Sequence, residues 1–330
     1  MKRKTFLRST AAVASVAAVV ALSACGGADS PDADGGGGGE ETISIGFSQV
    51  GAESGWRAAN TKSIQDTLTE ENGFKLSFSD AQQKQENQIQ AIRSYIAQGQ
   101  DVIAFSPVVE TGWDAVLQEA QAAGIPVILT DRAVDTEDDS LYESFIGSDF
   151  VLEGERAGEW VAENFDGESM KLVELQGTTG SAPAIDRKEG FAAAIEGTDI
   201  ELIDSQTGDF TRAGGKQVME GFLNSHNDID IVFAHNDDMG LGAIEAIEAA
   251  GLTPGEDVKI VTIDAVKDGM QALADGKINY IVECNPMLGE DLAEIAKKVV
   301  AGEAVEKRIV VEDAEFDQQQ AAEALPDRLY

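Results

Sequence analysis

Residues 229–250 read IDIVFAHNDDMGLGAIEAIEAA. The first seven are short, apolar and β-branched, which predicts a strand over 229–235. From 241 to 250 the apolar residues fall at helical spacing. Between the two lies a polar triplet, Asn236, Asp237 and Asp238. Asp237 or Asp238 suits the cap of a helix that begins near Met239. Asn236 stands one step nearer the strand end and suits contact with a ligand.

The same alternation continues in both directions. Upstream, strands are predicted over 43–49, 74–79, 102–106 and 125–130. Between them lie helices over 58–71, along the face carrying Ile89, Ile92 and Ile96, and over 113–123, where Gly124 ends the run. Nearer the quoted segment, strands over 171–175 and 201–205 alternate with helices over 152–164, 184–196 and 213–224. Downstream come a strand over 259–263, a helix over 269–275, a strand over 280–284 and a helix over about 288–301. Regular βα alternation implies parallel sheets covered on both faces. Its extent implies two doubly wound sheets, hence an α/β protein of two lobes. In such sheets ligands sit beyond the carboxyl ends of the strands.

Those ends are unusually polar. Glu53, Trp56 and Arg57 follow the first strand. Asp131 and Arg132 follow the strand over 125–130, and a Gly-rich loop at 176–180 leads from the strand over 171–175 to Asp186 and Arg187. Asn236 and Asp264 follow two more strands. Carboxylates and amides bind adjacent hydroxyls, guanidinium forks give planar charge-assisted bonds, and an aromatic ring covers an apolar C–H face. Together these groups suit a sugar. Trp113 and Trp160 lie within helical patterns and read as core. Glu174 alternates within its strand and reads as solvent-facing, a minor candidate.

Composition narrows the function further. The 330 residues are 43% hydrophobic with a formal net charge of −36, enough apolar material for a core and a surface that repels nucleic acid. Lys2, Arg3, Lys4 and Arg8 precede a small, apolar run over 11–24 that is too short to span a bilayer and suits a signal peptide over 1–24. It ends Leu22, Ser23, Ala24, Cys25, which resembles the bacterial lipobox and predicts lipidation at Cys25. Two acyl chains suffice for stable anchoring. The following GGADSPDADGGGGGEE (26–41) has no apolar period and predicts a flexible tether. Cys284 then has no cysteine partner and reads as a small buried hydrophobe.

Several segments, namely GFSQVGAESGWRAA (46–59), QQKQENQIQAIRSYIAQGQD (82–101), PVVETGW (107–113), VELQGTTG (173–180), AIDRKEGF (184–191), SQTGDFTR (205–212) and AHNDDMGLGAI (234–244), resemble the ABC-importer sugar-binding proteins of the ribose-binding type, most of all their galactofuranose-binding members. The resemblance implies a type I periplasmic binding protein fold, two lobes joined by a three-segment hinge. It divides the chain into a first lobe of 42–149 plus 266–284 and a second of 150–265 plus 285–330. It implies a monosaccharide, galactofuranose foremost, held between the lobes by Glu53, Trp56, Arg57, Asp131, Arg132, Arg187, Asn236 and Asp264, with Phe210 and Glu283 as weaker contacts. Relatives often have Asp-Gly where this chain has Asp264 and Ala265. The implied protein is a monomer without catalytic activity, cofactor or metal, anchored outside the cell membrane. It works with a permease and an ATPase, since this chain has no Walker A motif. The alternatives are a sensor feeding a chemoreceptor or histidine kinase, or a binder of arabinofuranose or ribose.

Overall fold

The computed structural model describes residues 42–330; the segments expected to be signal peptide and tether, and Cys25, lie outside the described residues. From Ile43 the chain runs β1 (Ile43–Gln49), α1 (Gly55–Thr67), β2 (Phe74–Asp80), α2 (Gln85–Gln98), β3 (Val102–Phe105), α3 (Asp114–Ala122), β4 (Val127–Thr130) and β5 (Ser144–Gly147). It continues through α4 (Phe150–Asn164), β6 (Met170–Gln176), α5 (Ala182–Ala194), β7 (Ile200–Thr207), α6 (Arg212–Ser225), β8 (Ile231–Ala234), α7 (Asp237–Ala249), β9 (Lys259–Asp264), α8 (Lys267–Ala274) and β10 (Tyr280–Glu283). Last come α9 (Gly289–Val300), β11 (Arg308–Val310), β12 (Glu315–Phe316) and α10 (Gln318–Ala324).

Two sheets result, ordered β11-β5-β4-β3-β1-β2 and β12-β10-β9-β8-β6-β7. Their pairings are parallel except for β12 on β10. The central strands VIAF, VILT and IVFA are buried at every position, as strands covered on both faces must be. Helices supply that cover. Leu292 and Ala296 of α9 pack with Ile45, Phe47 and Ile64 under the first sheet, and Trp113, Val116 and Leu117 pack with Phe105 on its other side. In the second lobe, Phe222, Met219 and Ile247 pack with Val232 and Ile260.

The sheets correct the lobe boundaries expected from sequence. The segment 266–284 belongs to the second lobe, because β10 pairs with β9 through Tyr280 and Val261. Helix α9 and β11 belong to the first, where β11 extends the sheet beside β5. The chain therefore crosses between lobes at 148–149, 284–288 and 311–314, and 315–330 closes the second lobe. Strands β5, β11 and β12 and helix α10 are short and escaped the sequence pattern.

Candidate functional site: a charged cavity between the lobes

Where β1 ends, α1 begins three residues earlier than the apolar pattern indicates, so Trp56 and Arg57 stand on its first turn. The Ser54 hydroxyl caps this turn by accepting the Arg57 N–H. That fixes the guanidinium over the β3 and β4 ends. Arg57 Nη2 lies 2.7 Å from Asp131 Oδ2 and 3.2 Å from Glu53 Oε1. Arg132 Nη2 reaches the same Glu53 oxygen at 2.5 Å, and the Ser106 hydroxyl donates to Asp131 Oδ2 at 2.8 Å. Burial works against the charge on Arg57, but Asp131 and Glu53 outweigh it and raise its pKa. On Arg132 burial prevails and lowers it.

The second lobe supplies the opposite wall. Arg187 of α5 donates through Nε to Glu153 Oε2 at 2.7 Å and through Nη1 to the His235 carbonyl at 2.6 Å, while Nη2 stands 3.8 Å from Asp264 Oδ1. Burial raises the Glu153 carboxyl to about 7 against the pull of Arg187. Burial likewise raises Asp264. Phe210 lies between the lobes' arginines, 5.2 Å from the Arg132 guanidinium and 6.0 Å from that of Arg187. A Cβ on Gly177 would stand 1.9 Å from the Phe210 ring, so glycine is required there for the ring to seat. Asp131, Phe210 and Asp264 all have positive φ, at 62°, 59° and 130°, the kind of backbone strain that gathers at ligand sites.

These groups surround a cavity lined by residues of both lobes. The structure brings Glu53, Trp56, Arg57, Asp131, Arg132, Arg187, Phe210, Asn236 and Asp264 together there. Trp56 lines the cavity, and its Nε1 donates to the Cys284 carbonyl at 2.6 Å. Two buried atoms of lining residues have no hydrogen-bond partner, Arg132 Nε from the first lobe and Asp264 Oδ2 from the second. Buried polar groups are rarely left so. The three arginines are matched by Glu53, Asp131, Glu153 and Asp264, so the walls largely compensate their own charge.

Some expectations are corrected. Asn236, not Asp237 or Asp238, caps α7: its Oδ1 accepts the Met239 N–H at 3.0 Å, and its Nδ2 donates to the Phe210 carbonyl at 3.1 Å. Asp237 instead takes the Val266 N–H, and Asp238 crosses the cleft to take the Gly55 N–H at 2.7 Å. Glu283 lies outside the cavity, bound by Arg328, Tyr330 and the Ala314 N–H at the hinge. Glu174 is buried rather than solvent-facing. Burial alone would raise its pKa, but His235 (3.0 Å away), Ser205 and Gln176 outweigh that and lower it to about 2. Trp113 is core, whereas Trp160 is partly exposed and stacks on Tyr280. Cys284 is buried and also lines the cavity, as do Ser54 and Pro183. Sequence reading missed Glu153, although a carboxylate in register with Phe150, Gly154 and Ala157 on the buried face of α4 marks it.

Comparison with known proteins agrees with this architecture. Residues 45–304 match the family model described as periplasmic binding protein domain. The galactofuranose-binding protein YtfQ of Escherichia coli (strain K12) is 51% identical over 248 residues, 74% of this chain and 78% of the relative. A solved structure from Mycobacterium smegmatis in complex with β-D-fucofuranose superposes with a TM-score of 0.85 at 64% identity, covering 86% of this chain and 94% of that one. The binding component of the arabinose ABC transporter from Shewanella sp. ANA-3, bound to α- and β-L-arabinofuranose, has a TM-score of 0.83 at 45% identity, covering 87% and 96%. With its two parallel-sheet lobes and a polar cavity between them, the chain belongs to the periplasmic binding protein family, among the sugar-binding proteins of the ribose-binding type.

Proposed function

We propose that this protein captures a single monosaccharide in its furanose form, galactofuranose or a close analogue, between its lobes and delivers it to an ABC permease powered by a separate ATPase. Lipidation of Cys25 holds it to the outer face of the cell membrane, and it acts as a monomer without catalysis. One observation carries the reading: Arg132 Nε and Asp264 Oδ2, one from each lobe, are buried without a hydrogen-bond partner and belong to residues that line one cavity. A sugar ring offers hydroxyls to both at once, as donor to the carboxylate and acceptor from the guanidinium. The self-compensating charge of the walls suits an uncharged ligand. The similarity to proteins bound to fucofuranose and arabinofuranose supports the furanose form.

Ligand that touches both lobes favours the closed arrangement, and it shifts the population only by its differential affinity for that state. Thermal-shift screening of the full chain against D-galactose, D-fucose, L-arabinose, D-ribose and D-glucose tests the proposal. Sugars that form furanose rings readily raise Tm, and D-glucose does not. A response to D-glucose equal to that of L-arabinose would contradict the furanose assignment.

A further inference from the structure

Asp264 and the residue after it form a strained turn. Their φ values are 130° and 61°, and Ala265 is fully buried. A residue with a Cβ keeps a left-handed backbone only where its surroundings impose it. The restraint comes from the far end of the chain. Arg328 Nε donates to the Ala265 carbonyl at 2.6 Å, and its Nη1 meets Glu283 Oε1 at 2.6 Å. The same guanidinium lies 4.2 Å from the Tyr330 ring. The Tyr330 carbonyl accepts the Lys267 N–H at 2.6 Å, and its hydroxyl donates to Glu283 at 2.6 Å. Glu283 in turn accepts the Ala314 N–H of the third crossing at 3.0 Å. On the inner side of the turn, the Asp264 carbonyl accepts the Cys284 N–H at 3.3 Å. Arg328 does not line the cavity, yet it grips the carbonyl next to a residue that does.

We propose that Arg328 is a positioning residue for ligand binding: by clamping the Ala265 carbonyl against Glu283 it holds the Asp264 turn in the geometry that lines the cavity. A guanidinium fork serves two acceptors at fixed angles, which an ammonium does not. The proposal rests on the sugar-binding reading above. Its test measures the effect of R328A on the Kd for L-arabinose, by calorimetry on the full chain, in two backgrounds. With Ala265 present, R328A weakens binding about tenfold, the scale of the left-handed penalty for a residue with a Cβ. In the A265G background the same substitution costs less than about threefold, because glycine adopts this backbone unaided. Urea unfolding of the same variants checks that each stays folded under the titration conditions, so that a change in Kd is not a loss of folded protein. An equal loss in both backgrounds, or no loss in either, overturns the proposal. Wild-type titration reports on the sugar reading separately.

Discussion

Arg187→Ala perturbs the site at its most connected point. The side chain is buried and serves Glu153, the His235 carbonyl and Asp264 through three different nitrogens. Removing it orphans the carboxylates in a low-dielectric wall. Breaking a buried pair from one side costs about 3–5 kcal/mol of stability, of which protonation of Glu153 relieves part below neutral pH. Ligand affinity suffers separately. A lost charge-assisted hydrogen bond is worth about 1.5–3 kcal/mol, and Asp264 loses its nearest cation. The expected loss in affinity is therefore about 2–5 kcal/mol, within the range for truncated charge pairs in interfaces. Isothermal titration with L-arabinose measures the affinity, and urea unfolding without sugar measures the stability. A variant that binds as tightly as wild type refutes the role assigned to Arg187.

Three further outcomes follow from the geometry. Asp238→Asn removes the carboxylate that bridges the cleft to the Gly55 N–H. Because the contact spans the two lobes, the sugar off-rate rises about three- to tenfold with little change in on-rate, as is usual for interface contacts; stopped-flow tryptophan fluorescence with an unchanged off-rate would count against it. Gly177→Ala drives a methyl into the Phe210 ring. Overpacking of this kind costs about 1–3 kcal/mol, read here as weaker sugar binding, and wild-type affinity would show the ring to be dispensable. The third concerns pH. Because burial raises Glu153 from 4.5 to about 7, the folded state holds this proton more tightly than the unfolded state. Its contribution is complete below pH 4.5 and is lost as pH rises through 7. Glu153→Gln keeps the neutral form, so its stability relative to wild type gains about 3 kcal/mol across that window; parallel stability-versus-pH curves would contradict this.

The lining of the cavity was largely legible because its residues stand at strand ends, where polar side chains interrupt a regular alternation of β1-like and α1-like segments. Asp131 and Arg132 after β4, and Asn236 after β8, announce themselves in this way. Lobe membership was less legible. The crossings at 284–288 and 311–314 are short segments outside the regular elements and without a distinctive pattern, and nothing local to Tyr280 tells which sheet it joins; pairing with Val261 decides that. Glu283 misled for the same reason, since its place at the hinge depends on Arg328 and Tyr330 far along the chain. Asn236 showed that one amide can cap a helix and still line a cavity.

The most direct test is a crystal structure of the complex with a furanose sugar. The account predicts one ring between the lobes, with hydroxyls within hydrogen-bond reach of both Arg132 Nε and Asp264 Oδ2. A sugar bound to one lobe alone, or outside this cavity, would contradict it.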